Sequence, residues 1–287
     1  MAPAELRTVV DVLGLSSAYL DSRGSSTPRL DAELLLGRVI GLSRLELYLH
    51  HDRPLEPDEL TRYRELIRRR GTGEPVAYLL GERAFRRVVL RSDERALVPR
   101  PETETLVEVV LAALPEGGAL LDLGTGSGNI AISVADERPD VSVVAVDASA
   151  DAIALAQANV DALVPGRVEL FVSDLYEAVP PGRMFDVVAG NLPYVADDDP
   201  GLESQVAKHE PALALYGGPD GLDIIRRAAA EVPTWLKPGG TMVIECGGAQ
   251  EDLIGDVMLG AGLIEVRTAR DLAGIERVVY ARLPADA

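Results

Sequence analysis

Apolar positions recur at three- and four-residue intervals near the start of the chain and gather into short continuous runs beyond position 115. Leu6, Val9, Val10 and Leu13 share one helical face. Leu30, Leu34, Leu35 and Val39 share another, after the start signal Ser25-Ser26-Thr27-Pro28. Leu42-Ser43-Arg44-Leu45 and Pro57-Asp58-Glu59-Leu60 open further short helices, the last ending in Arg68-Arg69-Arg70-Gly71. Basic residues followed by glycine mark a solvated helix end matched to the helix dipole; a docking patch is the second reading of that run. Residues 71–101 form a connector, in which the β-like runs 87–90 and 96–98 around the polar stretch 92–95 predict a hairpin. Pro99-Arg100-Pro101 then makes a stiff entry to a helix over 105–114.

Past Pro115 strands and helices alternate. Strands are predicted at 119–123, 141–147, 168–172, 184–190, 241–246, 263–270 and 276–283, and helices at 129–138, 150–160, 220–232 and 249–261. Such alternation builds a mostly parallel sheet with helices on both faces. Only 271–275 joins the last two strands, which suits an antiparallel hairpin at the sheet edge. The expected fold is therefore α/β: a Rossmann-like, seven-stranded domain at 102–287, preceded by a small helical domain at 1–82 and a hairpin linker at 83–101.

Charge divides the chain in the same place. Residues 1–100 carry 17 arginines against 15 acidic residues, whereas the remainder carries 11 basic against 31 acidic, a net of −20. A long-range field of that sign repels a phosphate backbone, so direct nucleic-acid binding is not expected. The different balance of the first part suits it to recognising a protein substrate. Glu5, Arg7 and Asp11 interrupt any apolar leader, and no run approaches the ~18 residues of a membrane span, so the expected location is the cytoplasm, away from membranes. Cys246 is the only cysteine, and His50, His51 and His209 are too scattered for a metal site. A monomer is expected.

The most informative stretch is Leu121-Asp122-Leu123-Gly124-Thr125-Gly126-Ser127-Gly128, a buried strand turning through alternate glycines into a helix. Helix N-termini at the carboxyl ends of parallel strands offer free N–H groups to a ligand. The next strand ends at Asp147, where a carboxylate can accept both hydroxyls of a ribose. Asn129 breaks the dinucleotide fingerprint and no Gly-Lys-Ser/Thr follows, which leaves a nucleoside-type pocket. Asp174, beyond the third strand, is a candidate acceptor for an adenine amino group, with Leu175 packing on the base. The fourth strand runs into Gly190-Asn191-Leu192-Pro193-Tyr194. An amide nitrogen is a poor nucleophile, so an enzyme that methylates one must hold both N–H groups and aim the nitrogen. The side-chain carbonyl of Asn191 and the backbone carbonyl of Leu192 can accept those two bonds, and Tyr194 can lie on the planar acceptor.

The glycine pattern after Asp122 resembles the pocket of S-adenosylmethionine (SAM)-dependent methyltransferases. With GEPVAYLLGE at 73–82, VPRPETE at 98–104, GNLPYV at 190–195, HEPALAL at 209–215, IECGGAQ at 244–250 and DLAGIERVV at 271–279, the chain resembles the release-factor glutamine methyltransferases, the PrmC/HemK family. The resemblance implies methyl transfer from SAM, with S-adenosylhomocysteine as product, to the side-chain amide of the GGQ glutamine in class-1 release factors. It implies a cofactor site of Asp122, Gly124, Thr125, Gly126, Ser127, Gly128, Asp147, Asp174, Leu175 and Asn191. Asn191, Leu192, Pro193, Tyr194 and Arg100 would meet the substrate. Three departures stand out. The family's usual Asn-Pro-Pro-Tyr is Asn-Leu-Pro-Tyr here, a form typical of ribosomal RNA adenine dimethyltransferases. Leu175 replaces an aromatic residue of some members, and Arg86-Arg87 replaces a common aromatic-glycine pair. An adenine N(6)-methyltransferase acting on RNA or DNA, or a non-catalytic SAM-binding protein, are the alternatives.

Overall fold

The computed structural model describes residues 7–201 and 204–286. In chain order its helices are α1 (Val9–Ser22), α2 (Pro28–Ile40), α3 (Arg44–Leu49), α4 (Pro57–Arg70), α5 (Val76–Leu80), α6 (Thr103–Ala113), α7 (Asn129–Glu137), α8 (Ala150–Leu163), α9 (Ser204–His209), α10 (Asp223–Glu231) and α11 (Glu251–Gly260). The strands are β1 (Glu82–Phe85), β2 (Val88–Arg91), β3 (Ala119–Leu123), β4 (Ser142–Asp147), β5 (Val168–Val172), β6 (Phe185–Gly190), β7 (Leu236–Glu245), β8 (Ile264–Arg270) and β9 (Glu276–Arg282). They form two compact units, one running up to Gly81 with α9 added, the other holding the rest. No described helix is long and apolar enough to cross a membrane.

In the helical unit, two helix starts are fixed by reciprocal capping in their first residues. Thr8 accepts from the Asp11 N–H while the Asp11 carboxylate accepts from Thr8 N, and Ser43 with Glu46 repeats the arrangement before α3. Val12, Leu13, Leu20, Leu35, Leu36, Leu47, Tyr63 and Ile67 fill the core. The arginine run at the end of α4 is spent inside this unit. Arg70 binds the nearly buried Asp31 at 2.7 Å, Arg69 pairs with Glu74, and Arg68 pairs with Glu65. These pairs match the reading of a helix end whose arginines are satisfied within the unit, although Arg68 and Arg69 keep exposed side chains.

The second unit is a seven-stranded sheet in the order β5-β4-β3-β6-β7-β9-β8. The pairs from β5 through β7 are parallel, and β9 is antiparallel to both β7 and β8, so the final hairpin closes one edge as expected. Apolar residues of β3, β4, β6 and β7 face both ways, because helices cover both sides of the sheet.

The connector hairpin is corrected. Its strands are β1 and β2, with Phe85 opposite Val88, and 96–98 is not a strand. The turn falls at Arg86-Arg87, where Arg86 adopts φ 48°. Arg86 holds that conformation through its N–H to Glu104 and its guanidinium to Glu137 at 2.6 Å. The polar stretch 92–95 misleads because it lies beyond the hairpin, with Arg95 folded onto Asp93. Strand β7 also begins earlier than expected: Leu236 pairs with Phe185 across a register shift, so Pro238-Gly239-Gly240 lies within the strand.

Candidate active site

The carboxyl ends of β3, β4 and β6 bring three loops together around a cavity of about 110 Å³. Its lining includes Arg100, Gly124, Thr125, Gly126, Ser127, Asp147, Asn191 and Pro193, all expected from sequence. Gly124, Gly126 and Gly128 adopt φ of 67°, 57° and 88°, a left-handed series that residues with a Cβ rarely adopt. At Gly128 a Cβ would also meet Ile132 at 2.8 Å. Asp122, fully buried, holds the loop from beneath: its Oδ2 accepts from Thr125 Oγ1 at 2.6 Å and from Ala131 N at 3.2 Å. Its Oδ1 has no partner among the described residues, and burial pushes the carboxyl up to about 7. Asp147 accepts from Gly126 N at 2.9 Å and Ser149 N at 2.8 Å, which aims the carboxylate across the loop; burial raises its pKa also.

Residues that sequence reasoning passed over complete the frame. Asn159 of α8, nearly inaccessible, donates to Ser127 O at 2.9 Å and exchanges hydrogen bonds with the Arg91 backbone, tying the glycine loop to the end of β2. Glu210 of the HEP motif accepts from Val98 N at 3.1 Å and from Arg100 Nη2 at 2.6 Å, so it sets the shape of the Val98–Pro101 wall. Pro211, Leu213 and Ala214 follow it into the lining.

The loop after β6 is held from three sides. Asn191 Nδ2 donates to Thr103 Oγ1 at 3.3 Å. Gln250 Nε2 donates to Tyr194 O at 2.9 Å, and Gln250 Oε1 accepts from Gly247 N. Leu192 turns its side chain into the core, where its Cδ2 lies 3.2 Å from the Cβ position of Gly124. Gly190 has no room for a side chain, since its Cβ would stand 2.7 Å from Leu123 O. Tyr194 lies behind the lining with its ring against Gly247; burial raises its pKa and keeps the phenol protonated. Glu245, at the end of β7, is also fully buried and is pushed up to about 7 by desolvation, which the hydroxyls of Thr103 and Tyr194 partly offset. A lone acidic residue in the apolar run Met242-Val243-Ile244-Glu245-Cys246 was a signal in the sequence that could have found it.

Asp174 and Leu175 are not brought to the cavity lining. Asp174 pairs with Arg227 at 2.9 Å on the surface, and Leu175, at φ 48°, turns into the core. Asp122, Gly128, Leu192 and Tyr194, also expected from sequence, are not part of the cavity lining.

This sheet order, with a glycine loop after β3 and an acidic end on β4, is that of a methyltransferase fold. A methyltransferase from Pyrococcus furiosus superposes with a TM-score of 0.52 at 17% identity, over 68% of this chain and 88% of that one. Residues 11–81 match the PrmC N-terminal domain and residues 101–209 the Methyltransferase small domain. The release factor glutamine methyltransferase of Geobacter sulfurreducens is 39% identical over 280 residues, covering 97% of this chain and 98% of the relative. That of Koribacter versatilis is 41% identical over 269 residues, covering 93% and 95%. The chain belongs to the release factor glutamine methyltransferase family.

Proposed function

We propose that this enzyme methylates the side-chain amide nitrogen of the GGQ glutamine in class-1 release factors, with SAM as the methyl donor. The residues around the cavity suit that donor. Ser127 and Asp147 line the cavity, and Ser127 Oγ is buried without a partner among the described residues. Gly124, Gly126 and Asp147 would hold the nucleoside, with Asp122 fixing the glycine loop from beneath, and Asp174 and Leu175 contribute only if the loop after β5 rearranges. SAM, when bound, supplies an electrophilic methyl group on sulfur.

The chain's own task is to bring an amide nitrogen to that methyl. The observation that carries the reading is the setting of Asn191. Its Nδ2 is turned to Thr103, so its Oδ1 is left to accept a hydrogen bond from the target amide at the cavity wall. The Leu192 carbonyl accepts the second N–H, and Tyr194 anchors the loop. Once both N–H groups are held, the nitrogen can point in only one direction, and part of the entropic barrier is removed before reaction. No side-chain base is required, because the proton becomes acidic once the methyl has moved. The helical unit recognises the protein substrate, and the enzyme acts as a monomer in the cytoplasm, where release factors work.

Single-turnover methylation of a release factor with SAM saturating tests the assignment. Asn191→Ala is expected to slow transfer by about two to three powers of ten, the scale of one deleted preorganised contact. Near-normal transfer would mean that this loop is an ordinary turn. The second reading, adenine methylation, is favoured only by the Asn-Leu-Pro-Tyr spelling and opposed by the acidic charge of the catalytic unit.

A further inference from the structure

The hairpin at the sheet edge turns through a segment that is tied down from within. Asp271 follows β8, and its side chain is only 9% exposed although it belongs to a surface turn. Its Oδ1 accepts from Ala273 N at 2.8 Å and from Ile275 N at 3.0 Å, and its Oδ2 accepts from Arg277 Nε at 3.0 Å. The backbone adds Gly274 N to Asp271 O and Asp271 N to Ile275 O, both at 2.9 Å, with Gly274 at φ 82°. What this turn displays is apolar. Leu272 is fully exposed, and Ile275 is exposed in the same turn. An exposed leucine alone is ordinary. One held outward by a pinned turn has already lost the freedom that binding would otherwise cost.

The turn stands at the same end of the sheet as the cavity. Strand β9 starts beside the end of β7: Val278 pairs with Glu245, and Cys246 N donates to Arg277 O at 2.8 Å. Directly after Cys246, Gly247 lies against the Tyr194 ring and Gln250 holds Tyr194 O, so one segment braces both the turn and the acceptor loop. Leu213, in the cavity lining, and Leu253, in the first turn of α11, are further exposed leucines at this end.

We propose that Leu272 is a docking anchor for the protein acceptor, entering an apolar cleft on the folded body of the release factor beside its GGQ loop. This rests on the reading that the acceptor is a glutamine carried on such a loop. A glutamine on a folded protein reaches the cavity only if the surface around it comes down on this end of the sheet. The turn, already ordered, offers that surface an apolar contact continuous with the mouth of the cavity. A short peptide has no such surface to offer in return. Burial of one leucine is worth about tenfold to a hundredfold in affinity. The contact is the same before and during methyl transfer, so it lowers KM for the intact factor and leaves kcat alone.

The test measures kcat and KM with SAM saturating, for an intact class-1 release factor and for a synthetic GGQ peptide, in wild type, Leu272→Asp and Leu272→Met. Leu272→Asp is expected to raise KM for the intact factor at least tenfold, with kcat, SAM affinity and methylation of the peptide unchanged. Leu272→Met keeps an apolar side chain of similar size and should stay within about twofold of wild type. An unchanged KM for the intact factor in Leu272→Asp would overturn the proposal and leave the acceptor assignment standing. So would an equal loss with factor and peptide, which would mean that the turn acts by supporting the acceptor loop. Sedimentation separates the remaining occupant: a wild-type dimer that Leu272→Asp dissociates would show that the leucine covers a second copy of this chain, and the proposal would fail. If the wild-type enzyme does not methylate the release factor at all, the underlying reading falls and the anchor with it.

Discussion

Asp147 lines the cavity and, in the proposed function, would join the glycine loop to the cofactor through one carboxylate. Its two oxygens already accept backbone N–H groups from Gly126 and Ser149, and each has a lone pair left for a hydroxyl. Asp147→Ala should therefore weaken SAM binding by about 1.5–3 kcal/mol, the range for hydrogen bonds to a charged acceptor, while the sheet remains folded. Unchanged affinity by calorimetry would move the nucleoside elsewhere. Glu245 carries a second residue-scale prediction, about stability. Its pKa in the folded protein lies above the unfolded value, so the native state keeps a proton that the unfolded chain has released. The stability this contributes is complete below about pH 4 and is lost as pH rises through about 7. Glu245→Gln has no such loss. Relative to wild type it should gain on the order of 3 kcal/mol between pH 4 and pH 8. Denaturant unfolding at both pH values checks this, and an equal difference at the two would show that the carboxyl is not held neutral by burial.

At the scale of elements, legibility followed sequence distance. The turn from β3 into α7 could be read because its determinants are contiguous: an apolar run, alternate glycines, then a helical pattern. Asp147 was legible for the same reason, as the end of an apolar strand. Leu175 was not, because a left-handed turn at that residue sends its side chain into the core, and no pattern requires positive φ of a leucine. Thr103, Asn159, Glu210 and Glu245 act across gaps of 30 residues and more, through contacts that exist only once the sheet order is known. The hairpin β1–β2 was misplaced because its turn is two arginines, held by Glu104 and Glu137 in place of a turn former. The acceptor loop supplies the prediction at this scale. In the proposed function Leu192 would serve by its carbonyl, while its side chain packs beneath Gly124. Leu192→Pro should keep the methylation rate within a few-fold while lowering stability by about 1–3 kcal/mol through lost packing, readable from urea unfolding. A collapsed rate in a folded variant would show that the side chain takes part directly.

For the molecule as a whole, charge and division of labour bear on the same question, the identity of the acceptor. The catalytic unit carries the acidic excess, a poor partner for RNA. In the helical unit the arginine run at the end of α4 is paired with Glu65, Glu74 and Asp31. A protein acceptor is consistent with both facts. The most direct measurement offers labelled SAM to the enzyme with an intact class-1 release factor, a synthetic GGQ peptide and ribosomal RNA in parallel reactions, and locates the methyl group by mass spectrometry. The account predicts label on the side-chain nitrogen of the GGQ glutamine, faster in the intact factor than in the peptide because the helical unit has more to grip, and none in RNA. Label on adenine in the RNA, with the release factor unmodified, would contradict it.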